Sequence, residues 1–303
     1  MLTPYVQAQH NIRKTWFLMS VVFSFVIAIG WGLSYYYNDP SILYIAVGIA
    51  FFQNFFAYFF SDKVALKTSG AKPIDLRNPQ HRELQRIVDN LSISQGMQSP
   101  KIYYIDDPAM NAFATGRNPE NSAMAFTTGI LEGLEKNELE GVAAHELSHI
   151  KNRDILVGTV VVVLVGFLAI ISDMFIRGVF RSGGGGNGNS KGNGIIMIVG
   201  IVFIILSPFI AKAIQLAISR KRELLADATG AEITRYPEGL AGALEKISQQ
   251  NMPVKKAGTA TAHLYFASPF KNKEKKSGGF MQRLFSTHPP IEERIENLRS
   301  MNK

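Results

Sequence analysis

Five consecutive residues, His145-Glu146-Leu147-Ser148-His149, form the strongest chemical pattern in the chain. Positions i and i+4 of an α-helix share one face, so His145 and His149 can direct ring nitrogens toward one metal ion. Glu146 lies beside them and suits a general base acting on water that the metal activates. The pattern predicts a zinc peptidase site. Chance is the alternative, since the spacing would arise by accident in roughly one chain in a hundred of this composition.

A third metal ligand and two supporting carboxylates are predicted elsewhere in the chain. A hydrolytic zinc site usually takes three protein ligands and leaves one position open. Glu223 is the best third candidate because it directly follows an apolar block, just as His149 directly precedes one, and a membrane hairpin would bring these two ends together. The alternative interpretation is that Glu223 is an ordinary charged residue at the membrane interface, among basic neighbours. Asp154 and Asp227 could orient the ligand histidines, or they are solvated charges or helix caps.

The elements that position these residues include four apolar blocks of about 20 residues, each long enough to cross a bilayer core of about 30 Å. They cover residues 15–37, 41–60, 155–176 and 195–219. No cleavage site follows the first block, which predicts an uncleaved anchor. The third and fourth blocks could instead be a buried helical hairpin of a soluble core.

Composition and charge agree with a membrane protein. The chain has 303 residues, 47% of them hydrophobic and only 18% charged, with no cysteine and a net charge of +8. Without cysteine, a metal must be held by histidine and carboxylate. Lys and Arg cluster at the ends of the apolar blocks, where lipid headgroups attract them, so the positive charge does not indicate a nucleic-acid partner.

The distribution of basic residues predicts the orientation of the chain. Arg13 and Lys14 precede the first block and several lysines follow the second, which places the N-terminus and the following domain in the cytoplasm. Basic residues between the third and fourth blocks would favour a cytoplasmic location for that loop instead. The basic cluster at 220–222, after the fourth block, offsets their effect on the predicted orientation. The predicted units are an anchor hairpin (1–61), a first catalytic part (62–154), a second membrane hairpin with a flexible Gly-rich loop at 182–194 (155–219), and a second catalytic part (220–303).

The remaining segments predict a mainly α fold with a small β-sheet, an α+β class. Residues 101–107 and 122–127 have the pattern of strands, with Asn111 to Thr115 between them. The helix that carries His145 is predicted to be capped by Asn137, with Glu140 completing a capping box. Near the C-terminus, His288-Pro289-Pro290 begins another helix. Taken by itself, His288 is interpreted as a residue of that helix's N-terminal cap rather than as a catalytic residue.

Taken together, these motifs resemble the HtpX family of membrane-bound zinc metallopeptidases, which is related to the CAAX prenyl-proteases. The resemblance covers almost the whole chain and implies a multi-pass membrane protein with a zincin-type (gluzincin) catalytic domain. It implies one Zn²⁺ per chain on His145, His149 and Glu223, with Glu146 as general base and acid. By the same resemblance, His288 stabilises the oxyanion and Arg294 contacts substrate. Asn111, Ala112, Phe113 and Ala114 would lie on an edge strand that pairs with the bound peptide, as an open strand edge can.

The resemblance also implies proteolytic quality control, in which misfolded membrane proteins or unfolded polypeptides are cleaved at the cytoplasmic face of the inner membrane, under stress. Two alternatives stay open. One is specific processing of a lipidated or membrane-bound substrate. The other is a zinc-stabilised scaffold without turnover, which predicts a closed site completed by His288 or Asp227. Sequence leaves the oligomeric state undetermined.

Overall fold

This computed structural model describes residues 4–167, 220–250, 252–257, 261–269 and 289–301. The fold begins with two long antiparallel helices. Helix α1 spans Pro4–Tyr37 and α2 spans Ser41–Ser69. Their apolar stretches, Ala8–Tyr37 and Ser41–Ser69, are long and apolar enough to cross a membrane, by length and composition alone. This agrees with the two predicted blocks at 15–37 and 41–60.

Small residues allow α1 and α2 to pack closely. Ala46, Ala50 and Ala57 of α2 are buried, and all three lie on one side of the helix. Gly30 of α1 meets this side so tightly that a Cβ there would clash with the Cβ of Ala46. Such contacts let helices associate where the hydrophobic effect between them is weak, as in lipid.

A four-stranded mixed sheet follows, with strand order β1-β2-β4-β3. The strands are β1 (Lys72–Pro73), β2 (Lys101–Ile105), β3 (Ala112–Asn118) and β4 (Asn121–Thr127). β2 and β4 are parallel and the other pairs are antiparallel, which leaves β3 at an edge. The strand predicted at 101–107 ends two residues early, because the Asp107 backbone N–H donates to the Ile105 carbonyl at 2.8 Å, in a local turn, instead of to a neighbouring strand.

Helices pack against this sheet and enclose the main core. They are α3 (Pro79–Ser94), α4 (Thr128–Gly133), α5 (Lys136–Lys151), α6 (Asp154–Phe167), α7 (Arg220–Thr234), α8 (Pro237–Gln249), a 3₁₀ turn (Ala262–Leu264) and α9 (Ile291–Ser300). The core joins apolar side chains of α3, β4, α5 and α8, including Leu84, Phe126, Leu147 and Leu244. The described part is thus mostly helical with a small mixed sheet, as predicted.

Helix α5 carries the metal-binding pattern and begins two residues earlier than predicted. Its N-cap is Glu135, not Asn137, and the capping box pairs Glu135 with Glu138 rather than Asn137 with Glu140. The prediction was wrong because a carboxylate can accept from the N3 backbone as well as an Asn side chain can. The helix ends at Lys151 with Asn152 as its C-cap, and Arg153 takes a left-handed φ of 55° before α6 begins.

Part of the predicted second hairpin lies outside the described residues. Helix α6 includes residues 155–167 of the third block and packs with both anchor helices through Met19, Ala57, Leu156 and Val160. The rest of that block, the Gly-rich loop at 182–194 and the fourth block at 195–219 are not described. The predicted domain boundaries stay predictions.

Candidate active site

Three predicted metal ligands meet in one cluster although 78 positions separate the first from the last in sequence. The Nε2 atoms of His145 and His149 are 3.1 Å apart. A carboxylate oxygen of Glu223 lies 3.5 Å from His149 Nε2, and the other lies 3.9 Å from His145 Nε2. One atom from each residue can be chosen so that all three lie within 4.8 Å of one another. Two imidazoles and one carboxylate around a common point are a donor set that Zn²⁺ accepts.

Close packing of α5 and α7 produces this convergence. On α7, Glu223, Asp227 and Gly230 are spaced by four and three residues, so they share one face. A Cβ at Gly230 would lie 3.0 Å from the His145 backbone nitrogen and 3.2 Å from its Cα. Glycine therefore lets the two helix backbones approach at the level of the metal site.

Two carboxylates contact the sides of the histidines that face away from the cluster. His149 Nδ1 lies 3.1 Å from Asp154 Oδ2, and His145 Nδ1 lies 2.9 Å from Asp227 Oδ1. Such partners fix the ring orientation of a ligand histidine and raise its basicity. The structure therefore brings both predicted supporting carboxylates to the ligands.

The electrostatics of the cluster suit a cation. Burial lowers the pKa of His145 to about 4, which leaves it neutral and able to bind a metal at pH 7. Burial also acts to lower the pKa of His149, but the Asp154 hydrogen bond and the Glu223 charge outweigh it and raise that pKa to about 9. The surrounding carboxylates thus stabilise a positive charge where the ligand nitrogens meet.

Glu146 is buried beside the cluster, and its pKa is raised. Desolvation, and to a smaller extent the Glu223 charge, raise the pKa of Glu146 to about 7 against the opposing effect of His149. The Ala114 backbone on the β3 edge provides a hydrogen bond to its carboxylate. A carboxyl group with a pKa near 7 can both take up and release a proton at physiological pH.

A cavity of about 50 Å³ lies against Ala114, Glu146, His149, Glu223 and Tyr265. Its wall therefore combines the β3 edge with the ligands and Glu146. Such concave sites with a few convergent polar groups are where ligands bind.

The chain itself occupies the start of the β3 edge. Phe266 donates its backbone N–H to the Ala112 carbonyl at 2.8 Å, and the Asn111 side chain bonds both the N–H and the carbonyl of Ala267. Phe113 is buried and packs its ring edge-to-face on Tyr265. Pairing of a substrate with Asn111, Ala112, Phe113 and Ala114 stays a prediction, and at Ala112 it would compete with the Phe266 hydrogen bond.

Arg294 is completely buried, and its donors are engaged within the protein. It forms a two-point ion pair with Asp227 at 2.7 and 2.8 Å and donates to the Phe266 carbonyl at 3.2 Å. The structure therefore connects Arg294 to His145 through Asp227, whereas its predicted contact with substrate stays a prediction. The second residue predicted from the C-terminal motif, His288, lies outside the described residues.

Several residues at the site were not predicted from sequence, among them Tyr265 on the cavity wall, Phe266 and Asn11. The Phe266 ring packs edge-to-face on His145 with centroids 4.9 Å apart, and Asn11 of α1 contacts Asp154. Phe266 lies in a stretch without periodicity, and Asn11 resembles an ordinary polar residue before an apolar block. Only its position within the first anchor could have drawn attention to Asn11.

Comparison with known proteins adds independent information. The model of peptidase family M48 matches residues 78–302. A protein named Protease HtpX homolog from Dictyoglomus thermophilum is 43% identical, over 99% of this chain and 96% of its own length. Proteins of the same name from Caldanaerobacter subterraneus and Listeria monocytogenes serotype 4a are each 41% identical, over 99% and 97% of this chain and 98% and 99% of their own lengths.

One solved structure is similar in fold. The crystal structure of S. mikatae Ste24p matches with a TM-score of 0.51 and 16% sequence identity, over 96% of this chain and 66% of that chain. At this identity the likeness concerns the fold alone.

Proposed function

The chain belongs to peptidase family M48, and from that premise we propose that it is a zinc-dependent endopeptidase of the cytoplasmic membrane with its catalytic side facing the cytoplasm. One observation carries the proposal. His145, His149 and Glu223 converge on one point, and the buried carboxyl group of Glu146 lies next to them. We assign the first three as metal ligands and Glu146 as general base and acid.

The donor chemistry fits zinc. The ligand nitrogens of His145 and His149 face Glu223, while their opposite nitrogens contact Asp227 and Asp154. When bound by such a set, zinc supplies Lewis acidity that activates water near neutral pH. The family supports this metal, although other divalent ions accept the same donors.

The chain's own residues then handle the proton. Glu146 can take a proton from water in the cavity and later donate it to the leaving amine, because its carboxyl group lines the cavity beside the metal ligands. The hydrogen bond from the Ala114 backbone orients its carboxylate. Asp154 and Asp227 keep the imidazole rings in place during this transfer. Stabilisation of the oxyanion by His288 is proposed on the family resemblance alone.

The position of Asp227 argues against a closed scaffold site. Both of its oxygens bond Arg294, and one also contacts His145 Nδ1, so the carboxylate is directed away from the side where the ligand atoms meet. Among the described residues, the metal-binding cluster comprises three donors. A three-ligand site with an open position is typical of catalytic rather than structural zinc.

We further propose that the substrates are misfolded or damaged membrane proteins and unfolded polypeptides. Two apolar helices and the similarity to proteins named Protease HtpX homolog support a membrane location. A link to stress follows from the family resemblance only. Cleavage of unfolded casein, compared with cleavage of defined membrane proteins, would separate this role from processing of one specific substrate.

The direct test is Glu146→Gln in the detergent-purified protein. We expect zinc content equal to that of the native chain and casein cleavage reduced by at least about a hundredfold, because general acid–base catalysis contributes that much or more. Zinc is measured by atomic absorption and cleavage by peptide release. Native-rate cleavage by the variant would refute the role of Glu146, and zinc-loaded native protein without activity on any substrate would favour the scaffold.

A further inference from the structure

Asn11 is a buried polar residue near the start of the first anchor helix. It lies within the apolar stretch Ala8–Tyr37 and has no solvent exposure. Asn11 precedes the predicted membrane-spanning block at 15–37, and a polar side chain buried inside a protein is costly unless it is hydrogen-bonded, so its partners need to be identified. Its partners belong to a segment more than 140 positions away.

The Asn11 amide contacts the junction between α5 and α6. Its Nδ2 donates to Asp154 Oδ1 at 2.6 Å and to the Asn152 carbonyl at 3.0 Å. The other oxygen of Asp154 contacts His149 Nδ1 at 3.1 Å. A continuous chain of polar contacts therefore runs from the anchor helix through Asp154 to a metal ligand.

We propose that Asn11 is a positioning residue for the metal centre, and that through it the first membrane helix becomes part of the active site. Asn11 fixes one oxygen of Asp154 so that the other stays directed at His149. This inference rests on the proposed zinc site.

Surrounding contacts support a role in positioning. Arg222 also approaches Asp154 Oδ1, but at 3.5 Å, so the Asn11 bond is the shorter of the two. Packing of α1 against α6 through Met19 and Leu156 holds the two helices together beyond Asn11. The Asn11 amide is therefore presented by a packed element, which is what a positioning contact requires.

The first test is the zinc affinity of Asn11→Ala. The full-length protein is stripped of metal in detergent, and its zinc dissociation constant is measured by competition with a chromophoric chelator. We expect affinity to fall by about tenfold, at the low end of the effect of losing a partner of a ligand histidine. Thr15→Val is the matched control, because Thr15 is similarly buried one turn along α1 and, among the described residues, bonds within its own helix, at the Asn11 carbonyl.

An exchange of the two side chains tests direct pairing. Asn11→Asp alone puts two carboxylates together, and Asp154→Asn alone removes the charge next to His149, so each should weaken zinc binding. In the double variant, the amide introduced at position 154 can donate to the carboxylate introduced at position 11 and still present its oxygen to His149. We expect the double variant to bind zinc more tightly than Asn11→Asp alone, with at least about tenfold deviation from additivity.

These outcomes separate the inference from the proposed function. An Asn11→Ala affinity equal to that of Thr15→Val, or additive effects in the exchange, would overturn the positioning role while leaving the zinc site intact. A native chain that binds no zinc would contradict the proposed function itself. Thermal unfolding of the metal-free variants identifies any that fail to fold, and the exchange then decides, since recovery of affinity in the double variant requires the pairing.

Discussion

At the scale of single residues, Asp227 is the link between the metal cluster and the C-terminal helix. Burial would raise the pKa of this carboxyl group, but the charge of Arg294 and the bonds from Arg294 and His145 lower it to about 2. Asp227 is therefore ionised at every working pH. One negative charge thus holds a ligand histidine on one side and a buried guanidinium on the other.

Arg294→Met should strongly destabilise the protein. It would leave Asp227 buried without its main counter-ion, and breaking such a buried pair typically costs about 3–5 kcal/mol. We expect a clear fall in the thermal unfolding temperature of the detergent-solubilised protein, together with weaker zinc binding. Arg299→Met on the same helix is the control, because Arg299 pairs with Glu238 and Glu245 at the surface. If both variants lowered the unfolding temperature equally, the buried ion pair would contribute no more to stability than the surface pair does.

At the scale of elements, the site depends on how closely α7 approaches α5. The ligand Glu223 and the carboxylate Asp227 share a face of α7 with Gly230, where an added Cβ would lie 3.0 Å from the His145 backbone nitrogen. The separation of the two helices therefore sets the distance between Glu223 and the two histidines. A side chain at this contact would change that distance.

Gly230→Ala should lower stability even though alanine favours helices by about 1 kcal/mol over glycine. The added methyl group would press on the His145 backbone, and overpacking of this kind costs about 1–3 kcal/mol. We expect a lower unfolding temperature and weaker zinc binding by chelator competition. The control is Gly48→Ala in α2, where a Cβ meets nothing within 4 Å. If both variants gained stability, close packing at Gly230 would not limit the site.

The sequence was informative where chemistry lies in one short helix or follows from chain connectivity. The spacing of His145 and His149 predicted their shared face, and the apolar blocks led to Glu223. By contrast, the N-cap of α5 is Glu135 rather than Asn137, because both side chains can accept from the first backbone N–H groups of a helix and the local sequence does not decide between them. The contacts of Asn11 and Phe266 depend on tertiary packing between distant segments, which no local pattern encodes.

At the scale of the whole molecule, α1 relates the active site to the membrane. Its Asn11 end contacts Asp154 beside the metal cluster, whereas its other end turns into α2 at Asp39. At 1.5 Å per residue, these ends are about 40 Å apart, more than the thickness of a bilayer core. If α1 spans the membrane, the site and the turn at Asp39 lie on opposite sides.

Single introduced cysteines can test this orientation, because the chain has none of its own. Asp39→Cys marks the exposed turn between the anchor helices, and Lys136→Cys marks the start of α5, where the lysine side chain is 67% exposed. Basic residues flank the anchor hairpin on the Lys136 side, which predicts that this side is cytoplasmic. In intact bacterial cells, a membrane-impermeant maleimide should therefore label Asp39→Cys and leave Lys136→Cys unlabelled.

Permeabilised cells provide the matched comparison, since both variants should then be labelled and the cysteine-free native chain should not. Labelling of Lys136→Cys alone in intact cells would invert the orientation and place the metal cluster outside the cytoplasm. Labelling of both without permeabilisation would mean that the protein is not arranged across the membrane of intact cells as proposed. The expected pattern would place His145, His149 and Glu223 on the cytoplasmic side, as the proposed function requires.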